Sequence, residues 1–542
     1  MVKLRTGMGN VGLRGFVFVL GGLCGALSQA QVADPFAAGS RWSHDAGAGT
    51  NWMGEEVHFA GRDQFVWGQA GGNAPHFSLL RSDSDLALVD REESLLTGTS
   101  QVRRSAAGER ADRVFSLLQT DSATPGQRIT EIHGFAPFAS ARGTNMAPMW
   151  SHSMGILSGG EPHLVTDDAG TIVVAALFLP WQNEVQVDML DGTNGSLLSR
   201  TTWFGQALNT VQISGDGTRI AIGAGLDLYI LSAQGQELYR ESLYTTLSGL
   251  ALSHDGSTVA ASGMGGTRLL EAHAAGYSHA GWIPAHDQNA TAQQSISVEV
   301  DLSADGDTMA VAQWSFMGSQ ETAFELWNTD TGTRLFRNAQ PGGPNGLQNL
   351  PTAAHITADG KRAAFATWGN GIDPEVLLVD RDSASLVHSF DLPGSAFSMD
   401  LDFTGTRVAV AHKLTHAQVF HAQGAFALLD TGERTLQTLT ATRPGHDLVI
   451  AARHQDAGIV LLLVGQPGPG THVAGVSGML LLDRSRVAVR AALADPNGAA
   501  QFSIHVPAWW TAPELPFAIQ AAFRLPTGTA LTDGMLEPIN LN

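Results

Sequence analysis

Residues 298–338 contain four short apolar runs joined by two tight turns, and this pattern constrains the fold more than any other feature of the sequence. Apolar and polar residues alternate over 298–302, which is the period of a half-buried β-strand. Residues 304–307 and 329–332 are typical of turns, because glycine tolerates positive φ and aspartate bonds its own backbone. A unit of this kind buries both of its faces only when several copies stack side by side.

Weaker copies of the unit recur along most of the chain. Each has a glycine in its first turn, and these glycines are 39 to 62 residues apart, at Gly61, Gly108, Gly170, Gly217, Gly256, Gly306, Gly360 and Gly405. This spacing matches a propeller blade of ~40–50 residues. We therefore predict an all-β chain with an eight-bladed β-propeller, and seven blades is the alternative because 94–155 is the least regular part. Unrelated hairpins in a sandwich are less favoured, since six units share both turns at similar offsets.

The repeats resemble those of WD40-like and YVTN-like propellers of secreted bacterial proteins, which carry an Asp-Gly first turn and an Asp-x-x-Thr/Ser-Gly second turn. The resemblance covers roughly residues 55–442, for example Ser253–Thr258 and Thr357–Arg362. A repeating Trp-Asp pair with its histidine partner is missing, so the sequence is not a standard WD40 array. The resemblance implies an architecture and says little about activity.

The pattern changes after Gly445, where about seven short strands separated by Gly/Pro turns predict a small C-terminal β-sandwich. Part of this region resembles a terminal module of secreted planctomycete-like proteins. The matching residues are Asp495, Gly498, Phe502, Ile504, Val506, Pro507, Gln520 and Ala521. The family has a Ser-Asn pair where Thr532, Asp533 and Gly534 stand here, so the match is partial. The module implies no activity.

The first 30 residues have the basic start, apolar run and small-x-small site of a secretory signal, with cleavage predicted after Ala30. Cys24 lies in the apolar run behind Leu23, which is not small, so we expect export without a lipid anchor. The predicted organisation is a signal peptide (1–30), a lead-in (31–54), the propeller (55–442) and the sandwich-like domain (443–542). We expect the mature chain in the periplasm, at the cell surface or outside the cell. No later apolar run is long enough to span a bilayer.

Composition excludes several classes of partner and site. The mature chain would keep 51 acidic residues and 28 of the 31 basic ones, a formal charge of 28 − 51 = −23. Nucleic acid and anionic membranes are poor partners for such a chain. Because Cys24 is the only cysteine, the mature chain would have no disulfide, cysteine-ligated metal or cysteine nucleophile. Burial in a large core would then supply the stability.

Motifs that carry chemistry are scarce. The nucleophile elbow, the P-loop, the dinucleotide fingerprint and the His-Glu-x-x-His zinc motif are all missing from the sequence. No catalytic residue and no cofactor is predicted. His412, His416 and His421 fall on one predicted loop and are the residues that a metal such as zinc, copper or iron would use. Loop histidines more often bond backbone groups. Trp181, Trp282 and Trp368 fall at inter-strand or inter-blade loops and are the candidates for ligand binding.

These features favour a secreted, non-catalytic binding or scaffold protein whose propeller loops hold a protein, peptide or glycan. One alternative is a secreted hydrolase or lyase, or a metal-dependent oxidoreductase, with its site at the propeller channel. Another is a structural component of the cell envelope. The sequence leaves the ligand, the functional face and the oligomeric state open.

Overall fold

The computed structural model describes residues 39–45, 52–60, 63, 65–72, 76–82, 89–93, 100–108, 113–124, 127–136, 148–157, 162–274, 276–285, 295–316, 320–344, 348–416, 423–431, 436–438, 447–454, 457–472, 476–477, 479–495, 498–505, 518–525 and 528–531. Every regular element named within these segments is a β-strand. This confirms the all-β prediction. The described residues include no helix with the length and hydropathy to cross a membrane. The predicted signal peptide and its cleavage site lie outside the described residues.

Eight four-stranded antiparallel sheets occupy the larger part of the chain. The first strand of the chain, β1 (Gly39–Asp45), belongs to the last of these sheets. Sheet 1 contains β2 (Trp52–Ala60), β3 (Phe65–Gly72), β4 (His76–Arg81) and β5 (Val89–Glu93), and sheet 2 contains β6 (Ser100–Ala107), β7 (Val114–Asp121), β8 (Arg128–Phe135) and β9 (Trp150–Leu157). Sheet 3 contains β10 (His163–Thr166), β11 (Ile172–Leu179), β12 (Glu184–Asp191) and β13 (Leu197–Phe204). Sheet 4 contains β14 (Leu208–Ile213), β15 (Arg219–Ala224), β16 (Asp227–Ser232) and β17 (Glu237–Ser242).

The next four sheets repeat the same strand order. Sheet 5 contains β18 (Leu247–Leu252), β19 (Thr258–Gly263), β20 (Gly266–His273) and β21 (Gly276–Pro284), and sheet 6 contains β22 (Ser295–Leu302), β23 (Thr308–Ser315), β24 (Thr322–Asn328) and β25 (Thr333–Gln340). Sheet 7 contains β26 (Pro351–Ile356), β27 (Arg362–Thr367), β28 (Val376–Asp380) and β29 (Ser385–Phe390). Sheet 8 contains β30 (Ala396–Leu401), β31 (Arg407–Lys413) and β32 (Gly424–Asp430), and β1 is its fourth strand.

The eight sheets contact one another in chain order and close into a ring. The first strand of each sheet contacts the first strand of the next, and β30 of sheet 8 contacts β2 of sheet 1. In sheet 8, β1 pairs with β32, so that Gly39 lies opposite Asp430 and Asp45 opposite Ala425. Four-stranded sheets stacked in this way are typical of a β-propeller. The predicted lead-in of residues 31–54 therefore contains a strand of sheet 8.

Hydrophobic clusters between neighbouring sheets form the core. Phe324 of sheet 6 and Phe365 of sheet 7 have their ring centroids 5.2 Å apart and share one cluster. Val187 of sheet 3 and Ile222 of sheet 4 share another. These second and third strands are almost continuously buried, which explains why they read as uninterrupted apolar runs in the sequence. Each sheet is thus stabilised by its neighbours.

The last part of the chain forms two further sheets. A three-stranded sheet contains β33 (Leu436–Thr438), β34 (Asp447–Arg453) and β38 (Ala499–His505). A five-stranded sheet contains, in spatial order, β36 (Val476–Ser477), β40 (Gly528–Leu531), β39 (Ala518–Leu525), β35 (Ile459–His472) and β37 (Met479–Leu493). One buried cluster joins them, with Ile450 and Phe502 from the first sheet and Leu462 and Phe523 from the second. Strand β33 lies inside the 55–442 range expected for the propeller, yet it pairs with β34.

The predicted first turns are present in six sheets. The glycines at 170, 217, 256, 306, 360 and 405 all have φ between 61° and 78°. In each turn the glycine amide donates a hydrogen bond back across the turn, as where the Gly306 amide donates to the Ser303 carbonyl at 2.9 Å. Any other residue at this position would have to adopt a left-handed backbone conformation that is unfavourable when a side chain is present. This explains why each repeat has a glycine here.

Candidate binding face

Antiparallel order divides the connections of the eight sheets between two ends of the ring. We call the end that holds the first-to-second and third-to-fourth strand connections the lower face, and the other end the upper face. The upper face holds the second-to-third strand connections and the links from one sheet to the next. Trp181 lies between β11 and β12, and Trp368 between β27 and β28. Trp282 lies near the end of β21. All three predicted tryptophans are therefore on the upper face.

The three tryptophans differ in exposure. Trp181 is 82% exposed and Trp282 is also exposed. Trp368 is half-buried, and its backbone amide donates a 2.9 Å hydrogen bond to the Leu350 carbonyl. Trp181 and Trp282 are thus available to a partner over much of their surface, whereas Trp368 is held against its neighbours.

The sequence patterns did not indicate four further exposed apolar side chains on the upper face of sheets 3, 4 and 5. Together with Trp181 and Trp282 they form a set that we call the apolar belt: Trp181, Phe204, Leu226, Tyr244, Met264 and Trp282, all exposed. Sheets 3, 4 and 5 each contribute one residue from a second-to-third strand connection and one from near the end of the fourth strand or just beyond it. The signal was present in the repeat: Phe204, Leu226 and Met264 each stand next to a turn glycine, where an exposed polar residue is the usual choice.

Hydrogen bonds hold the connections of the belt in place. The Gly205 amide donates to the Asn183 carbonyl at 2.7 Å, which ties the Trp181 turn to the end of β13. In sheet 4 the Leu243 amide donates to the Leu226 carbonyl at 2.6 Å. In sheet 5 the Ala285 amide donates to the Gly265 carbonyl at 2.9 Å. Because these turns are fixed before any partner arrives, little conformational entropy would be lost on binding.

The lower face is built differently. Its first turns are joined by backbone hydrogen bonds from sheet to sheet: the His254 amide donates to the Ala304 carbonyl, and the Ala304 amide to the Ala358 carbonyl, both at 2.9 Å. Serine and threonine hydroxyls complete the turns, as where Ser303 Oγ donates to Asp305 at 2.6 Å. The exposed large apolar residues described on this face are Phe403 in a first turn and, beside third-to-fourth strand connections, Met149, Leu197, Leu198, Leu238 and Leu386. Polar groups in the first turns of the lower face therefore bond one another and join neighbouring sheets.

Carboxylates at the centre of the ring also have structural partners. Asp301 on β22 accepts the amides of Leu302 and Ile356, both at 2.9 Å. Asp400 on β30 accepts the amides of Leu401 at 2.8 Å and Phe59 at 2.6 Å. Two of these amides belong to the next sheet, so each carboxylate fastens neighbouring inner strands. His355 Nδ1 lies 3.8 Å from Asp301 Oδ2 and 3.9 Å from Asp400 Oδ1.

The pKa values at the centre reflect limited access of water. Burial raises the pKa of Asp301, although the nearby His355 acts against it. Burial raises the pKa of Glu299 to about 8, so this carboxyl is largely neutral at pH 7. Perturbed acids can mark catalytic sites. Here both oxygens of Asp301 and both of Asp400 are occupied by backbone amides, which argues for a structural role.

The histidine candidates are not assembled into a metal site by the described residues. His412 is buried on β31; its Nδ1 lies 3.0 Å from the Lys413 carbonyl oxygen, and burial lowers its pKa. His416 Nδ1 lies 3.7 Å from Glu375 Oε1. His421 lies outside the described residues. Within the part of the chain that the structure describes, no group of three or more histidine, cysteine, aspartate or glutamate side chains could hold a metal ion.

Two solved β-propeller structures match most of this chain at low similarity. The C-terminal WD40 domain of Sif2 matches 72% of this chain and 98% of its own length, with 13% sequence identity and a TM-score of 0.49. The β-propeller domain of Cps50 (Swd1) from Myceliophteria thermophila matches 72% of this chain and 99% of its own, with 10% identity and a TM-score of 0.40. No protein-family model matches the sequence, and no curated protein matches it. At such low similarity the function has to be argued from the site itself.

Proposed function

We propose that this chain is a secreted, non-catalytic binding protein that holds a protein partner on its upper face through the apolar belt. In this proposal the eight sheets are the blades of an eight-bladed β-propeller, and the last two sheets form a C-terminal β-sandwich that begins at β33. Secretion rests on the signal-like sequence of residues 1–30, with cleavage after Ala30. The observation that carries the proposal is the exposure of six large apolar side chains at equivalent positions of three consecutive sheets.

The chemistry of the belt favours a protein partner. Trp and Tyr are enriched at the centres of protein interfaces, where they contribute most of the binding energy. Tyr244 is 99% exposed and Trp181 82% exposed, which is unusual for large apolar side chains that have no partner to cover them. Their turns are rigid and lie on adjacent sheets. A partner that covers all three sheets could therefore bury the six side chains together.

The alternatives have less support. In an enzyme at the centre of the ring, Asp301 and Asp400 would be poor acid–base groups, because their oxygens already accept backbone amides. A role as a cell-envelope component would depend on the C-terminal domain, and the belt does not bear on it.

Site-specific photo-crosslinking in the natural host tests the proposal. A photoreactive phenylalanine analogue replaces Phe204 of the belt, and in a matched control it replaces Phe403 of the lower face; these side chains are 72% and 54% exposed. We expect a protein cross-linked in stoichiometric yield at position 204 and no such product at 403. The same product at both positions, or none at 204, would refute the proposal.

Binding measurements with the purified partner complete the test. Trp181→Ala combined with Tyr244→Ala should raise the dissociation constant by ~10-fold or more, because truncation of a central aromatic residue commonly costs over 1 kcal/mol of binding free energy. Phe403→Ala should leave it unchanged. If a polysaccharide rather than a protein changes the fluorescence of Trp181, and Trp181→Ala removes that change, the partner is a glycan and the protein proposal fails.

A further inference from the structure

The five-stranded sheet of the C-terminal region ends in an open edge. Strand β37 is the last strand of that sheet and pairs with β35 on one side only, from Val487 opposite Gly465 to Leu493 opposite Ile459. On its other side no strand of the described residues pairs with it. Its backbone amides and carbonyls there are positioned to bond another strand, and natural proteins usually protect such edges with charge, proline or a covering loop.

The 487–493 segment of β37 has little charge to protect its edge. Residues 487–493 contain one charged residue, Arg490. Alternate residues of a strand share a face, so Val489, Ala491 and Leu493 lie together on one side of the sheet. All three are exposed, Leu493 by 80%. Ile459 of β35 lies opposite Leu493 and is also exposed, so the apolar surface continues onto the next strand.

Near its end, the other side of the same strand packs against the domain interior. Ala492 packs against the buried cluster that joins the two C-terminal sheets. The Arg490 guanidinium donates to the backbone carbonyl of Ser503 on β38. The two faces of β37 therefore differ: one is anchored by the domain, and the other presents an uncovered apolar row beside an open edge.

This edge is complementary to itself. If two copies of β37 pair antiparallel about Ala491, Val489 of each copy lies opposite Leu493 of the other, and the two Ala491 residues face each other. In the same register Arg490 lies opposite Ala492, so the two guanidinium groups do not oppose one another, as they would if the pairing were centred on Arg490. A two-fold axis through Ala491 gives each copy the same contacts, as a symmetric dimer requires.

We propose that the protein forms a homodimer in which β37 of one chain pairs antiparallel with β37 of a second copy, centred on Ala491. The two five-stranded sheets then join into one continuous sheet. The uncovered row of Val489, Ala491 and Leu493 becomes a shared apolar surface with its counterpart, and the open backbone groups of both edges gain partners. The upper face of the ring takes no part in this contact.

Sedimentation of the purified full-length chain over a range of concentrations tests the proposal. We expect a monomer–dimer equilibrium for the natural sequence. Ala491→Lys places two like charges opposite each other across the axis and should weaken the dimer by ~10-fold or more. Ala488→Lys is the matched control: it adds the same charge at an exposed position of the same strand but on the other side, opposite Ala494 of the second copy. It should leave the equilibrium nearly unchanged.

A charge-swap experiment distinguishes this register from general damage to the domain. Ala491→Glu should also behave as a monomer alone, and an equimolar mixture with Ala491→Lys should recover a dimer, because lysine then lies opposite glutamate. A natural chain that stays monomeric at all concentrations would overturn the proposal. A dimer that survives Ala491→Lys, or a mixture that stays monomeric, would overturn it as well.

Discussion

Arg407 joins the last sheet of the ring to the first, and its replacement by methionine should loosen the closure. The guanidinium donates to Asp402 Oδ2 at 2.9 Å, to Ser82 Oγ at 3.0 Å and to the Asp63 carbonyl at 3.1 Å. Arg407 begins β31 of sheet 8 and Asp402 lies in the turn before it, whereas Asp63 lies in the first turn of sheet 1 and Ser82 directly follows β4. Methionine keeps part of the buried stem and removes every one of these hydrogen bonds.

The size of the effect follows from the burial of Asp402. Its side chain is 1% exposed, and removing one partner of a buried ion pair costs about 3–5 kcal/mol. Asp402 would keep the amides of Thr406 at 2.7 Å and Arg407 at 3.0 Å, because backbone bonds do not depend on the side chain. We therefore expect the lower end of that range, a loss of about 3 kcal/mol in the free energy of unfolding.

The loss should also grow with pH. Burial and the nearby Asp402 raise the pKa of Asp63 to about 7, and Arg407 opposes that rise. An acid whose folded pKa is raised contributes stability that is full below its unfolded pKa and is lost as the pH rises through the folded value. Without Arg407 the folded pKa of Asp63 moves further up, so the decline continues above pH 7. The difference between natural and variant chains should be larger at pH 8.5 than at pH 6.

Urea denaturation followed by tryptophan fluorescence measures these quantities. Arg381→Met is the matched control, since Arg381 pairs at 2.9 Å with the exposed Asp382 and such pairs contribute about 0–1 kcal/mol. If Arg407→Met costs no more than Arg381→Met, or if its cost is the same at both pH values, the account of the closure is wrong.

Three further substitutions test other buried groups by the same denaturation assay. Glu375 is fully buried, and burial raises its pKa to about 7, so its charged form destabilises the fold at higher pH. Glu375→Gln should leave the free energy of unfolding nearly unchanged near pH 4.5 and raise it by up to about 3 kcal/mol at pH 8. Equal effects at the two pH values would contradict this. Trp42 is buried in β1 beside sheet 1, and Trp42→Ala should cost about 3–5 kcal/mol; a loss under 1 kcal/mol would mean that β1 contributes little to closure. Asp188 is fully buried and accepts hydrogen bonds from Arg200 Nε and Nη2, both at 2.6 Å. Asp188→Asn should therefore cost about 1–3 kcal/mol, and an unchanged free energy of unfolding would contradict this.

Much of the ring could be predicted because its signals are local. A turn such as 303–306 needs a hydroxyl, an acid and a glycine within four residues, and the strands on either side alternate or run apolar according to their burial. These requirements repeat in each sheet, so the copies support one another.

The fourth strand of sheet 8 could not be predicted in this way. Its pairing joins Gly39 to Asp430, and the sequence around β1 carries no sign of which distant strand it will meet. The segment after β32 reads equally well as a strand of the same unit, whereas β33 pairs with β34. Pairing between distant strands depends on the geometry of the closed ring, which no local window contains.

The belt was only partly predicted for a related reason. Trp181 and Trp282 stand out in any sequence, and Trp368 does as well, although its side chain is half-buried. Tyr244 and Leu226 look like ordinary core residues, since burial depends on the sheets on either side and not on residue type. The predicted histidine group stays a prediction, because His421 lies outside the described residues.

The pairing of β1 with β32 also governs when the protein can finish folding during its synthesis. Strand β1 is synthesised before the strands of sheets 1 to 7, whereas its partner β32, which begins at Gly424, is synthesised after them. Sheets 1 to 7 can form from neighbouring segments as they emerge, while sheet 8 must wait with an unpaired edge. If the chain is exported, the same strand stands close to the site where the signal would be removed. Delayed removal of the signal would then keep β1 from pairing with β32 and leave sheet 8 incomplete.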